Sequence, residues 1–205
     1  MNAGKLMYYL GLDLGQKRDH SAVVVVERVD RGQPFQGYRF ESLMVRYVER
    51  MPLGTPYPRV VERVREIVRS DELYGNCALA VDATGVGAPV VDMLRAARLG
   101  CDLTAVTITG GDKAGSAGSV PKRDLIAEVQ VLLEKGQLRI GDVRDAGRLA
   151  RELGDMRIST GGGGRTRMGA DRCGEYDDLA IALALACWRA KGRKLNDWCG
   201  RGRLF

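Results

Sequence analysis

The chain carries one histidine, His20, and five cysteines, Cys77, Cys101, Cys173, Cys187 and Cys199, with no CxxC spacing among them. So few paired soft ligands argue against a zinc site, and an odd cysteine count fits a reduced chain better than a disulfide framework. No apolar stretch of about 18 residues is present, and the N-terminus lacks the apolar core of a signal peptide. A soluble, intracellular protein is the expectation. No GxxxxGK[ST] occurs anywhere, so these residues hold no P-loop ATPase. Neither an internal repeat nor a long linker divides the chain.

What is present suits one domain: 205 residues, 45% of them hydrophobic, are ample for a single core. The net charge of +6 tilts toward a polyanionic partner. Because 26 acids stand against 32 basic residues, function depends on where each sign collects.

The apolar run Tyr8 to Gly15 contains one carboxylate, Asp13, and is followed by the β-branched run Ser21 to Val26. This reads as two buried strands of a hairpin. An acid at the end of such a strand costs several kcal/mol unless it is paired, hydrogen-bonded or metal-bound. Loose alternation over 37–50 predicts a third strand and hence an antiparallel meander. From Arg59 the period becomes helical in Val60, Val61, Val64, Ile67 and Val68.

Cys77 to Val81 is a fully apolar strand, and it too ends in an acid, Asp82. A helix opening at Pro89, a strand over 103–109, a Gly/Ser loop over 110–119 and a helix after Pro121 follow. A short edge strand at 138–140, a helix over 144–153 and a hairpin tipped by Gly161 to Gly164 precede a last apolar helix over 175–190. The glycine run has no helix behind it, so it reads as a hairpin tip and not a phosphate loop. The predicted class is α/β: a mixed sheet centred on the first strand, with helices on both faces.

If the first and fourth strands are neighbours, Asp13 and Asp82 emerge at one sheet edge. Two such carboxylates repel unless hard divalent cations, Mg²⁺ or Mn²⁺, hold them. Asp177 and Asp178 open the last helix, where acids also complement the helix dipole. Its small alanines allow close approach to a sheet, which would bring a third acid to the same edge.

A carboxylate on the first strand, another on the strand after the first helix, and an acid pair opening a closing helix resemble the RNase H-like nucleases. Gly11 to Asp19, Val81 to Gly87, Pro121 to Leu125 and Tyr176 to Ala180 are similar to the nuclease domain of the large terminase subunit of tailed phages. The resemblance spans roughly Tyr8 to Arg189 and rests on the order and spacing of the motifs together. It implies a metal-dependent endonuclease that cuts concatemeric viral DNA at the start and end of packaging, in the host cytoplasm. Asp13, Asp82 and Asp178 would be catalytic metal ligands, with Asp177 as neighbour or alternate ligand. Two Mg²⁺ or Mn²⁺ ions about 3.5–4 Å apart would then clamp the attacking and leaving oxygens. No Ser-His-Asp set is needed, in keeping with the lone His20.

The same resemblance implies double-stranded DNA as substrate, with a packaging ATPase domain, portal and small terminase subunit as partners. Residues 1–190 would be the nuclease domain and 191–205 a basic tail that contacts DNA or the portal. Because the first nuclease strand comes almost at once, an isolated domain or a split gene product is expected. Lys17, Arg18, Lys122 and Arg123, then Arg165 and Arg167 on the hairpin, flank the acids as candidate phosphate-backbone contacts. A RuvC-type Holliday junction resolvase shares the metal logic. The first hairpin also resembles the actin-like ATPases and sugar kinases, although 205 residues are few for their two domains.

Overall fold

The computed structural model describes residues 8–15, 19–30, 41–85, 87–110, 119–161, 165–169 and 176–191. Strand β1 (Tyr8–Asp13) pairs antiparallel with β2 (Ala22–Asp30), in a register that sets Asp13 opposite Ala22. The β-branched residues of β2 favour this pleated, buried setting. Strand β3 (Glu41–Arg50) extends the meander through a register shift between Val25 and Val26. Helix α1 (Tyr57–Val68) begins with Pro58 in its first turn and buries Val60, Val61, Val64 and Val68.

Strand β4 (Cys77–Asp82) lies parallel to β1 on its other side, with Leu12 beside Val81. Helix α2 (Gly87–Ala96) and β5 (Asp102–Thr109) follow, β5 parallel to β4. A short strand β6 (Ser119–Pro121) lies parallel to β5 where the sequence suggested only the end of a loop. Three residues ending in proline carry too little pattern to show as a strand. Helix α3 (Lys122–Glu134) closes with Gly136 in the left-handed region at φ +62°, which glycine adopts without strain.

Strand β7 (Leu138–Ile140) is an edge strand parallel to β3, and helix α4 (Ala146–Asp155) follows it. The hairpin β8 (Arg157–Gly161) and β9 (Arg165–Gly169) forms a separate two-stranded sheet. Helix α5 (Asp178–Ala190) closes the described chain. The main sheet runs β6-β5-β4-β1-β2-β3-β7, so β1 is central as the sequence predicts.

Strand alternation divides the core in two. Leu10, Leu12, Val23, Val25, Leu79 and Val81 face α1 and α2, whereas Tyr9, Val24, Val26, Ala78 and Ala80 face α5 with α3 and α4. Every residue of α5 is buried, as expected for a helix apolar all round. It packs tightly on the sheet at Gly11, where a Cβ would stand 1.8 Å from the Ala182 carbonyl oxygen. No helix among the described residues is long and apolar enough to cross a membrane.

Candidate active site

By strand parity Asp13 shares the face of Tyr9 and Gly11, and Asp82 shares the face of Ala78 and Ala80. Both carboxylates therefore leave the C-terminal edge of adjacent parallel strands on the side where α5 begins. Asp177 occupies the position before that helix, and Asp178 is its first residue. The four acids line one cleft of about 290 Å³, together with Asp19, Lys122, Tyr176 and Ile108.

Three of the acids are held differently. Asp82 Oδ1 accepts from the Thr84 backbone N–H at 2.8 Å and from the Thr84 hydroxyl at 2.5 Å. The Thr84 oxygen in turn accepts from the Ile108 N–H at 2.8 Å, tying this turn to β5. Lys122 Nζ donates to Asp177 Oδ2 at 2.5 Å. Asp178 Oδ2 lies 3.7 Å from Arg50 Nε, yet it is buried without a hydrogen-bond partner.

Arg50 also pairs with Glu152 of α4, and Glu152 Oε2 accepts from the N–H groups of Leu179 at 2.9 Å and Ala180 at 3.1 Å. The guanidinium of Arg50 covers the Tyr176 ring at 5.0 Å, and His20 meets that ring edge-on at 4.9 Å. His20 donates from Nδ1 to the Met51 carbonyl at 2.8 Å.

Proton affinity is raised across the cluster. Burial pushes the Asp13 carboxyl well above the usual range, and the negative charges of Asp82, Asp178 and Asp177 add to this while Lys122 opposes it. Burial also raises Asp82 against the lowering effect of its Thr84 bonds. Asp178 is pushed up to about 6, mainly by burial, with Arg50 opposing and Asp177 adding. A site that disfavours its own negative charges is one that a cation would relieve.

As the carboxylates stand, no three His, Cys, Asp or Glu side chains among the described residues form a closed ligand set. The donor chemistry nonetheless fits a hard divalent ion. Five aspartates, Asp13, Asp19, Asp82, Asp177 and Asp178, line the cleft beside Lys122, and Asp178 Oδ2 is a buried acceptor that receives no hydrogen bond.

Of the residues singled out from sequence, Asp13, Asp82, Asp177, Asp178 and Lys122 come together. Lys122 lines the cleft and pairs there with Asp177. Arg123 is outside the cleft lining, with Nε 3.5 Å from Asp124. Arg165 and Arg167 belong to β9, their side chains beyond what is described, and Lys17 and Arg18 lie outside the described residues. Sequence reasoning missed Arg50, Glu152 and the cleft-facing sides of Asp19 and Tyr176. The one available signal was Glu152, an acid three residues after Leu149 on the buried stripe of α4.

No protein-family profile matches the chain, and comparison with curated protein sequences finds no match. Among solved structures the chain is similar to the large terminase nuclease from thermophilic phage G20c with bound cobalt. Identity there is 25% over 88% of this chain and 80% of that one, at a TM-score of 0.62. The same nuclease with bound magnesium matches at 25% identity and a TM-score of 0.61, over 88% of this chain and 80% of that one. The large terminase nuclease domain from bacteriophage SPP1 with bound Mn matches at 16% identity over 91% of this chain and 89% of that one, with a TM-score of 0.56. The chain thus has the RNase H-like fold of the phage large-terminase nuclease domains.

Proposed function

We propose that this chain is a divalent-metal-dependent DNA endonuclease, the nuclease part of a phage large terminase subunit, which cuts concatemeric viral DNA during packaging. The observation that carries the reading is the meeting of Asp13, Asp82 and Asp178, from β1, β4 and α5, in one cleft of a fold whose similar structures hold Mg, Mn or Co. Asp13, Asp82 and Asp178 would hold Mg²⁺ or Mn²⁺, with Asp177 beside them. When bound, such ions lower the pKa of a coordinated water and neutralise charge developing on a phosphodiester.

The chain's own residues supply the framework. Thr84 orients the Asp82 carboxylate through two hydrogen bonds to one of its oxygens. Lys122 holds Asp177 and places a positive charge at the cleft, where a phosphate would otherwise meet only acids. Lys17, Arg18, Arg123, Arg165 and Arg167 are further backbone contacts on this reading, with double-stranded DNA as substrate. A packaging ATPase domain, portal and small subunit are the assigned partners in the host cytoplasm. Residues 1–190 form the nuclease domain on this reading, and 191–205 a basic tail.

The test is incubation with plasmid and with a synthetic four-way junction in Mn²⁺, Mg²⁺ or EDTA, alongside Asp13→Ala and Asp82→Ala. Metal-dependent plasmid cutting lost in both variants is the expected result. Cutting in EDTA, or cutting indifferent to both substitutions, overturns the mechanism. A junction cut far faster than duplex moves the assignment to a resolvase.

A further inference from the structure

Acids at a helix start normally serve the helix itself, accepting from its unpaired N–H groups. Asp177 stands at the cap position of α5 and makes no such bond. The donors are taken instead by a residue from another helix: Glu152 accepts from Leu179 and Ala180. Glu152 is 8% exposed, and its second oxygen is engaged by Arg50, at the last position of β3. Arg50 continues to Asp178 at 3.7 Å and covers the Tyr176 ring. One ion pair thus connects three elements at the point where Asp178 enters the cleft.

We propose that Glu152 and Arg50 are positioning residues for the metal site. Glu152 caps α5 in place of Asp177, which leaves Asp177 to pair with Lys122 and keeps both aspartates in the cleft lining. Arg50 bridges Glu152 and Asp178 and fixes the direction in which Asp178 presents its oxygens. Neither Arg50 nor Glu152 lines the cleft, so the pair acts through Asp178. This inference rests on the nuclease reading above. Outer partners of metal-binding carboxylates commonly govern affinity about 10–100-fold.

The experiment is calorimetric titration of the full chain with Mn²⁺, with far-ultraviolet circular dichroism to establish folding. Glu152→Gln retains an acceptor for the α5 amides but loses the ion pair, and Arg50→Lys retains the charge but not the fork that spans two carboxylates. Each is expected to weaken Mn²⁺ binding at least about tenfold while keeping the wild-type spectrum. Arg189→Gln, at the far end of the same helix, is expected to lower the melting temperature and leave Mn²⁺ affinity unchanged. Folded Arg50→Lys and Glu152→Gln proteins that bind Mn²⁺ like wild type overturn the proposal and leave the nuclease reading intact. A wild-type chain that binds no Mn²⁺ removes both. A measurement on wild type alone also decides: the Leu179 and Ala180 amides are expected to exchange as slowly as those in mid-helix, and exchange typical of a frayed terminus overturns the cap.

Discussion

At its C-terminal end α5 meets charge with charge. Arg28 donates to the Ala190 carbonyl, Arg189 pairs with Asp102, and Lys191 Nζ lies 2.7 Å from Glu128. Cations at a helix C-terminus complement its dipole, so this end is balanced. At the N-terminal end Asp13, Asp82, Asp177 and Asp178 share Lys122 and Arg50, and Arg50 is already committed to Glu152. The balanced end and the close contact at Gly11 hold the helix in place, which lets the other end keep an excess of negative charge. Burial first, and then that excess, raise the proton affinity of Asp13 and Asp178, and on the proposed function a cation would relieve the charge.

The largest test of this contrast is catalytic. Asp178→Ala is expected to reduce plasmid cleavage on the order of 10³-fold, the equivalent of several kcal/mol of lost charge stabilisation. Asp102→Asn at the other end should leave the rate unchanged, and similar losses at both ends would erase the distinction. Next in size is Gly11→Ala, whose Cβ would press on the Ala182 carbonyl. A loss of about 3 kcal/mol is expected in urea unfolding, because backbone cannot yield as a flexible side chain does.

A third test separates the ends by pH. A carboxyl whose folded pKa is raised contributes stability that is fully present below the unfolded value and lost as pH rises through the folded value. Asp178, raised to about 6, and Asp13, raised further, therefore make the metal-free protein less stable as pH climbs from about 4 toward 7. Asp178→Asn should remove part of this decline and raise metal-free stability at pH 7 by about 1–3 kcal/mol, read as a shift in melting temperature. Added Mn²⁺ should stabilise wild type increasingly with pH and do so less for Asp178→Asn. Smallest is Arg28→Gln, expected to cost about 0.5–1 kcal/mol with no change in the pH slope.

Much of the site was legible because its signals are local. An acid closing an apolar strand is visible twice, at Asp13 and Asp82, and the parallel pairing of β1 with β4 brings both to one edge. Asp177 and Asp178 stood out as acids before an alanine-rich run. Arg50 and Glu152 did not stand out, since a charged residue at a strand end or in a short helix ordinarily faces water. Strand β6 escaped for want of length, and the pairing of Lys122 with Asp177 escaped because 55 residues of chain separate them.

The sequence by itself determined which residues within each strand share a face, and that β1 and β4 each end in an acid, because a strand's period of two is a property of the local backbone. Only the tertiary structure decided which charges answer one another. Glu152 reaches Arg50 across 102 residues of chain, and Lys122 reaches Asp177 across 55, separations over which no local periodicity carries information. Topology brings these groups together, and burial then makes each pairing matter.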